Sequence, residues 1–165
     1  MPQRISATIE VMMVPTNVLI TVWVWLGRAF VNIDETGWNT LLFTFWGLPL
    51  LAIAFTVTTV LWRQAASQAR TSSMPWTATL AQVLLWLSLA IFGATMTDVA
   101  DPSTSGTTPH WSVLTMIVGW SQPALDLTER LADIAAASVA GTWLLLCVVL
   151  ICQIRNQRTS IINRP

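Results

Sequence analysis

Four long apolar runs, separated by polar stretches, set the pattern of this chain. They cover residues 9–30, 38–62, 76–97 and 134–154. A helix needs about 20 predominantly apolar residues to cross a bilayer core of roughly 30 Å. Each run meets that length, so the pattern predicts an all-α membrane protein built as a bundle of four transmembrane helices in one domain, residues 1–165.

The runs carry small interruptions. In the first, Pro15, Thr16, Asn17 and Thr21 break the core, and Trp23 and Trp25 sit at its far end, where aromatic belts form. Gly27, Arg28, Ala29 and Phe30 follow, without the small-residue cleavage pattern of a signal peptide, so the run reads as an uncleaved span. The second run is bracketed by Trp38 and Trp62 and holds Gly47 and Pro49, a pair expected to kink a helix. Pro75 stands just before the third run, at a normal helix-start position. The fourth is small in its first half (Ala135, Ala136, Ala137, Ser138, Ala140, Gly141) and bulky in its second (Leu144 to Ile151).

Residues 98–133 are the one long stretch that cannot lie wholly in lipid. It opens polar, with Asp98, Asp101, Pro102 and Gly106. It then has an apolar piece, 110–120, and closes on an acidic helical pattern, 123–133, continuous with the fourth run. Eleven residues of helix rise about 16 Å, half the hydrocarbon thickness, so the apolar piece predicts a short interfacial helix between spans three and four. The last helix is expected to extend outward over residues 123–154.

Four spans put both termini and the 63–75 connector on one side. That side holds six arginines, Arg4, Arg63, Arg70, Arg155, Arg158 and Arg164, against two on the other, Arg28 and Arg130. Short basic loops stay cytoplasmic, so both termini are expected inside the plasma (inner) membrane and residues 98–133 outside it. The acids divide the same way. Asp34, Glu35, Asp98, Asp101, Asp126, Glu129 and Asp133 fall outside and only Glu10 inside, which makes the outer face acidic.

Composition narrows the class further. Of 165 residues, 54% are hydrophobic and 10% charged, too little charge to clothe a water-facing surface. Zero net charge excludes the basic footprint that nucleic acid needs. All eight cations are arginine, a bias that points to a bacterial host with a GC-rich genome. Cys147 and Cys152, five apart on one helix, point away from each other and read as small packing residues rather than a bridge or metal pair.

Little chemistry is legible. No dinucleotide fingerprint, P-loop, Cys-x-x-Cys or metalloprotease motif occurs, and no ionisable residue lies at membrane depth, which argues against a proton-coupled pump. Asn17, Gln82 and the Thr56, Thr58, Thr59 group read as interhelical hydrogen-bonding residues. Asp126, Glu129 and Asp133 share one helix face, with Arg130 placed to pair with Asp126 or Asp133, and Leu127, Leu131 and Ile134 opposing them. With His110, the only histidine, these acids are the candidate metal ligands, although such a stripe is more commonly wet surface. No metal or other cofactor is assigned.

The candidate partner-binding residues are apolar or small. Trp111, Leu114, Ile117, Val118 and Trp120 give the 110–120 helix an apolar face, with only Ser112, Thr115 and Gly119 as a polar stripe. Such a helix should be covered on more than one side, by its own bundle or by a partner. Ala137 and Gly141, four apart, would let another helix backbone approach closely, either a partner's or one in the same bundle. The expected function is thus a non-catalytic accessory or structural subunit of a larger inner-membrane complex. It would contact lipid and larger integral membrane proteins. A homo-oligomeric channel or solute carrier is the alternative, and an extracytoplasmic metal sensor or enzyme a second.

Overall fold

The computed structural model describes residues 2–27, 38–68, 76–97, 112–119 and 121–162, and these are almost entirely helical. Helix α1 spans Pro2–Leu26, α2 Trp38–Leu42, α3 Leu48–Gln68, α4 Trp76–Thr95, α5 Val113–Val118 and α6 Gln122–Ile162. A π-helical turn, Phe43–Gly47, joins α2 to α3 without a break. Among the described residues, four helical stretches are long and apolar enough to cross a membrane: Thr8–Leu26, Thr40–Ser67, Trp76–Thr95 and Gln122–Thr159.

The helix ends depart from the apolar runs. Helix α1 begins at Pro2, before the first apolar run, and its last turn closes at Gly27, whose amide donates to the Trp23 carbonyl at 2.7 Å. Helix α3 runs on to Gln68, and α4 stops at Thr95 rather than 97. Helix α6 is 41 residues and continues past Ile154 to Ile162, so Arg155 and Arg158 stand on helix rather than on a tail. Arg155, Gln157 and Arg158 are good helix formers, and residues 155–159 hold no proline or glycine, so nothing stops the helix where hydrophobicity ends. Arg28, Asp34, Glu35, Arg70, Pro75, Asp98, Asp101, His110, Trp111, Trp120 and Arg164 lie outside the described residues.

The expected kink at Gly47 and Pro49 takes the form of the π turn. Proline has no N–H to give the carbonyl four residues back, Phe45, and its ring crowds that carbonyl. The ladder widens just upstream, and the Leu48 amide reaches the Phe43 carbonyl five residues earlier. A side chain at Gly47 would run into the Phe43 ring.

The four long elements pack as a ring in the order α1, α4, α6, α3, closed by α3 on α1, with α5 resting on α4 and α6. Helix α4 is the most enclosed, burying Ala78, Ala81, Gln82, Leu85, Leu89 and Gly93. The core also takes Met13 and Val24 of α1, Phe55 and Trp62 of α3, and Leu146, Leu150 and Ile154 of α6. Helices α1 and α4 lie side by side in the same direction. Trp23 Nε1 donates to the Ala90 carbonyl at 3.0 Å, and one to two turns away Trp86 Nε1 donates to Asn17 Oδ1 at 2.8 Å.

Candidate functional site: the α5 cap and the outward face of α6

The sequence of α5 builds its own start and stop. Ser112 is the N-cap: its Oγ accepts from the Thr115 amide at 3.1 Å, while Thr115 Oγ1 accepts from the Ser112 amide at 2.9 Å. This reciprocal capping satisfies two otherwise orphaned donors. Gly119, at φ 97°, ends the helix in a conformation that other residues rarely adopt. The helix is therefore six residues, shorter than the eleven expected over 110–120.

Of the polar stripe of α5, Ser112 and Thr115 face inward and Gly119 is exposed. Ser112, Val113 and Thr115 are buried, Leu114 and Met116 partly so, and Ile117 and Val118 are exposed at 76% and 68%. The hydroxyls can turn inward because capping consumes them locally, which leaves two branched apolar side chains uncovered.

On α6, the face beneath the cap is Leu125, Thr128 and Ala135, with the Thr128 hydroxyl bonded to the Ala124 carbonyl at 2.7 Å. The expected apolar face is rotated away from the bundle: Leu127 and Ile134 are exposed and Leu131 is only partly buried. Threonine can occupy the buried face because its hydroxyl folds back onto the helix.

Asp126, Glu129, Arg130 and Asp133 are all exposed, and Asp126 takes a long 3.4 Å contact from Gln122. Among the described residues, no group of three His, Cys, Asp or Glu side chains could hold a metal ion.

Four of the small residues of α6 point outward, while Ala135 is buried. Ala136, Ala137, Ala140 and Gly141 are exposed, and a Cβ added at Gly141 would meet nothing within 4 Å. The Ala137–Gly141 pair is thus not used inside the bundle. The close helix contact is at Gly93 instead, where an added Cβ would lie 2.7 Å from Trp23 Nε1 and 3.2 Å from Val24 Cα. Cys152 is exposed and Cys147 partly so, so Cys152 is not a core packing residue.

Beside Ala136 and Ala140 lies a cleft of about 510 Å³ between the π turn, α3, α4 and α6, walled by Phe43, Ala54, Leu89 and Trp143. It opens because α3 packs on α6 and α1 rather than along α4. Its wall is apolar throughout, which suits hydrocarbon and offers no group for chemistry.

The polar residues within the spans are largely occupied. Asn17 holds Trp86, and the hydroxyls of Thr21, Thr56 and Thr58 bond to carbonyls three or four residues back on their own helices. Gln82 differs: it is fully buried and neither amide atom has a partner among the described residues, as is also true of Trp62 Nε1. Sequence reasoning placed Gln82 among the interhelical hydrogen-bonding residues, and the structure leaves it unpaired.

The tryptophans are the residues whose roles sequence reasoning missed. Trp23, Trp25, Trp86 and Trp143 each donate an indole N–H to a neighbouring helix or the π turn, in addition to any belt position. Buried indoles seek an acceptor, and Asn17 within the first span was the one sequence signal for such pairing. No protein-family model, characterised protein or solved structure matches this chain.

Proposed function

We propose that this chain is a non-catalytic accessory or structural subunit of a larger bacterial inner-membrane complex, respiratory or envelope-building. It binds larger integral membrane proteins through the outward face of α6 and the exposed end of α5. The observation that carries this reading is the placement of Ala137 and Gly141. They form a smooth strip on the longest helix, face away from the bundle, and leave room for a second backbone. In lipid, small residues at four-residue spacing favour close helix association, through packing that a tail-facing surface does not need. Ile117 and Val118 add an apolar patch beyond the 134–154 span.

In this reading both termini lie in the cytoplasm. The six-to-two division of arginines supports that orientation, and protease protection of a C-terminal tag in intact spheroplasts tests it. The partner reading is tested by mild-detergent purification on the same tag. Much larger membrane proteins should co-purify, and the double substitution Ala137→Leu, Gly141→Leu should deplete them while the melting temperature of the isolated chain stays put. A stable monomer that recovers no larger protein from native membranes would overturn it.

A further inference from the structure

A second groove, about 630 Å³, runs between α1 and α3, sharing Phe55 with the apolar cleft, and its two ends differ. Val14, Val18 and Ala52 line its length, Trp25 closes one end, and Thr59 and Arg63 stand at the other. From Leu48 to Arg63 the wall rises through fifteen helical steps, about 22 Å. That exceeds the roughly 15 Å of hydrocarbon in one leaflet.

The polar groups along the groove are not equivalent. Trp25 Nε1 is held by Thr44 at 2.9 Å, the Thr21 hydroxyl by the Asn17 carbonyl at 2.7 Å and the Thr56 hydroxyl by the Ala52 carbonyl at 2.7 Å. Thr59 and Arg63, one helical turn apart on one face, have no hydrogen-bond or ion-pair partner among the described residues. Apart from the Asn17 amide, which also lines it, the groove is thus mostly apolar and self-satisfied along its length, with a free hydroxyl and a free guanidinium at its mouth.

We propose that the α1–α3 groove holds one anionic phospholipid. The phosphate sits on the Arg63 guanidinium, the glycerol ester region lies beside the Thr59 hydroxyl, and one acyl chain extends past Val18 and Ala52 toward Trp25. The charge complements an anionic headgroup, and the wall length accommodates the chain below it. The proposal goes beyond the subunit reading and does not rest on it, because binding in detergent requires neither the partner proteins nor a particular orientation.

Native mass spectrometry of the purified full-length chain tests it, with phosphatidylglycerol and phosphatidylcholine of identical acyl chains titrated separately. The expected result is a one-lipid adduct that favours phosphatidylglycerol about five-fold, the ratio that a single cation near an anionic headgroup supports. Arg63→Gln should abolish that preference. Val18→Trp, at an exposed position that leaves the core intact, should remove the adduct by filling the groove. Arg155→Gln, at another exposed arginine away from the groove, should change neither. Inorganic phosphate at millimolar concentration should not displace the lipid. Equal uptake of both lipids, an adduct indifferent to Arg63→Gln and Val18→Trp, displacement by free phosphate, or a dimer lost on Val18→Trp would each overturn the proposal.

Discussion

Along the α1–α4 seam, Trp23 donates to the Ala90 carbonyl, Trp86 donates to Asn17, and Gly93 lets the two backbones approach closely. Along the α3–α6 seam there is one indole bond, from Trp143 to the Ala54 carbonyl at 3.3 Å, and an apolar cleft opens beside it. Burial follows the same division: 39% of the α4 span is enclosed, against 6% of the span that contains α3. Both seams use tryptophan and small residues. The difference lies in where the small residues sit. Gly93 faces a partner helix, so its missing side chain brings backbones together, whereas Ala136 and Ala140 flank a gap. Without a hydrophobic force between helices in lipid, packing and hydrogen bonds decide which pairs are tight. The α1–α4 pair is thus the fixed part of the bundle, and α3 is its more loosely held wall.

The largest effect should come from breaking the tight seam. Gly93→Leu places atoms where Trp23 Nε1 and Val24 Cα already stand, and overpacking of this kind costs about 1–3 kcal/mol. Thermal unfolding in detergent should show a clear drop, while Gly141→Leu in the same assay should show none. Equal behaviour of the two glycines would remove the distinction between the seams.

Gln82→Leu should act in the opposite direction. Its amide is buried on α4 with both polar atoms unpaired, an arrangement that costs about 1–3 kcal/mol. An apolar residue of similar size should raise the melting temperature, and a fall would mean that the amide is satisfied in the native protein.

Asn17→Leu strands the Trp86 indole, and Trp143→Phe removes the longer bond on the other seam. Interhelical hydrogen bonds in membranes average about 0.6 kcal/mol, so both losses should be small, with Asn17→Leu the larger. The smallest effect is expected from Ala140→Leu. This partly fills the cleft at an already exposed position and should leave unfolding within about 0.5 kcal/mol of wild type.

The existence of the four spans was legible because membrane-spanning length is written directly in apolar runs. Which face of each helix turns inward was not. Lipid tails and a bundle core are equally apolar, so Leu127 and Ile134 look no different in sequence from Leu125 and Leu146, yet the first pair is exposed and the second buried. The same ambiguity hid the roles of Ala137, Gly141 and Gly93: all three are small residues in apolar runs, and only the fold shows which of them meets a neighbour. The π turn was half legible. Pro49 signalled a distortion, and its form depended on the helix continuing through it. For α5, Ser112 and Thr115 read in sequence as a stripe rather than as a capping pair, because their separation of three fits both.

Helix α6 has a consequence for the membrane itself. Its 41 residues reach about 61 Å, while the 20 of α4 reach about 30 Å, close to the thickness of the hydrocarbon slab. Thickening the bilayer by a few ångströms would strain both helices, because the apolar part of α6, residues 134–154, is about as long as α4 and is flanked by Asp133 and Arg155, which resist entry into hydrocarbon. Thinning it would force α4 to tilt, and α6, packed along it, would swing through the same angle with a longer arm. The two helices together thus behave as an anchor and a pointer, and a thinner bilayer would be read out as lateral displacement at the α5 end.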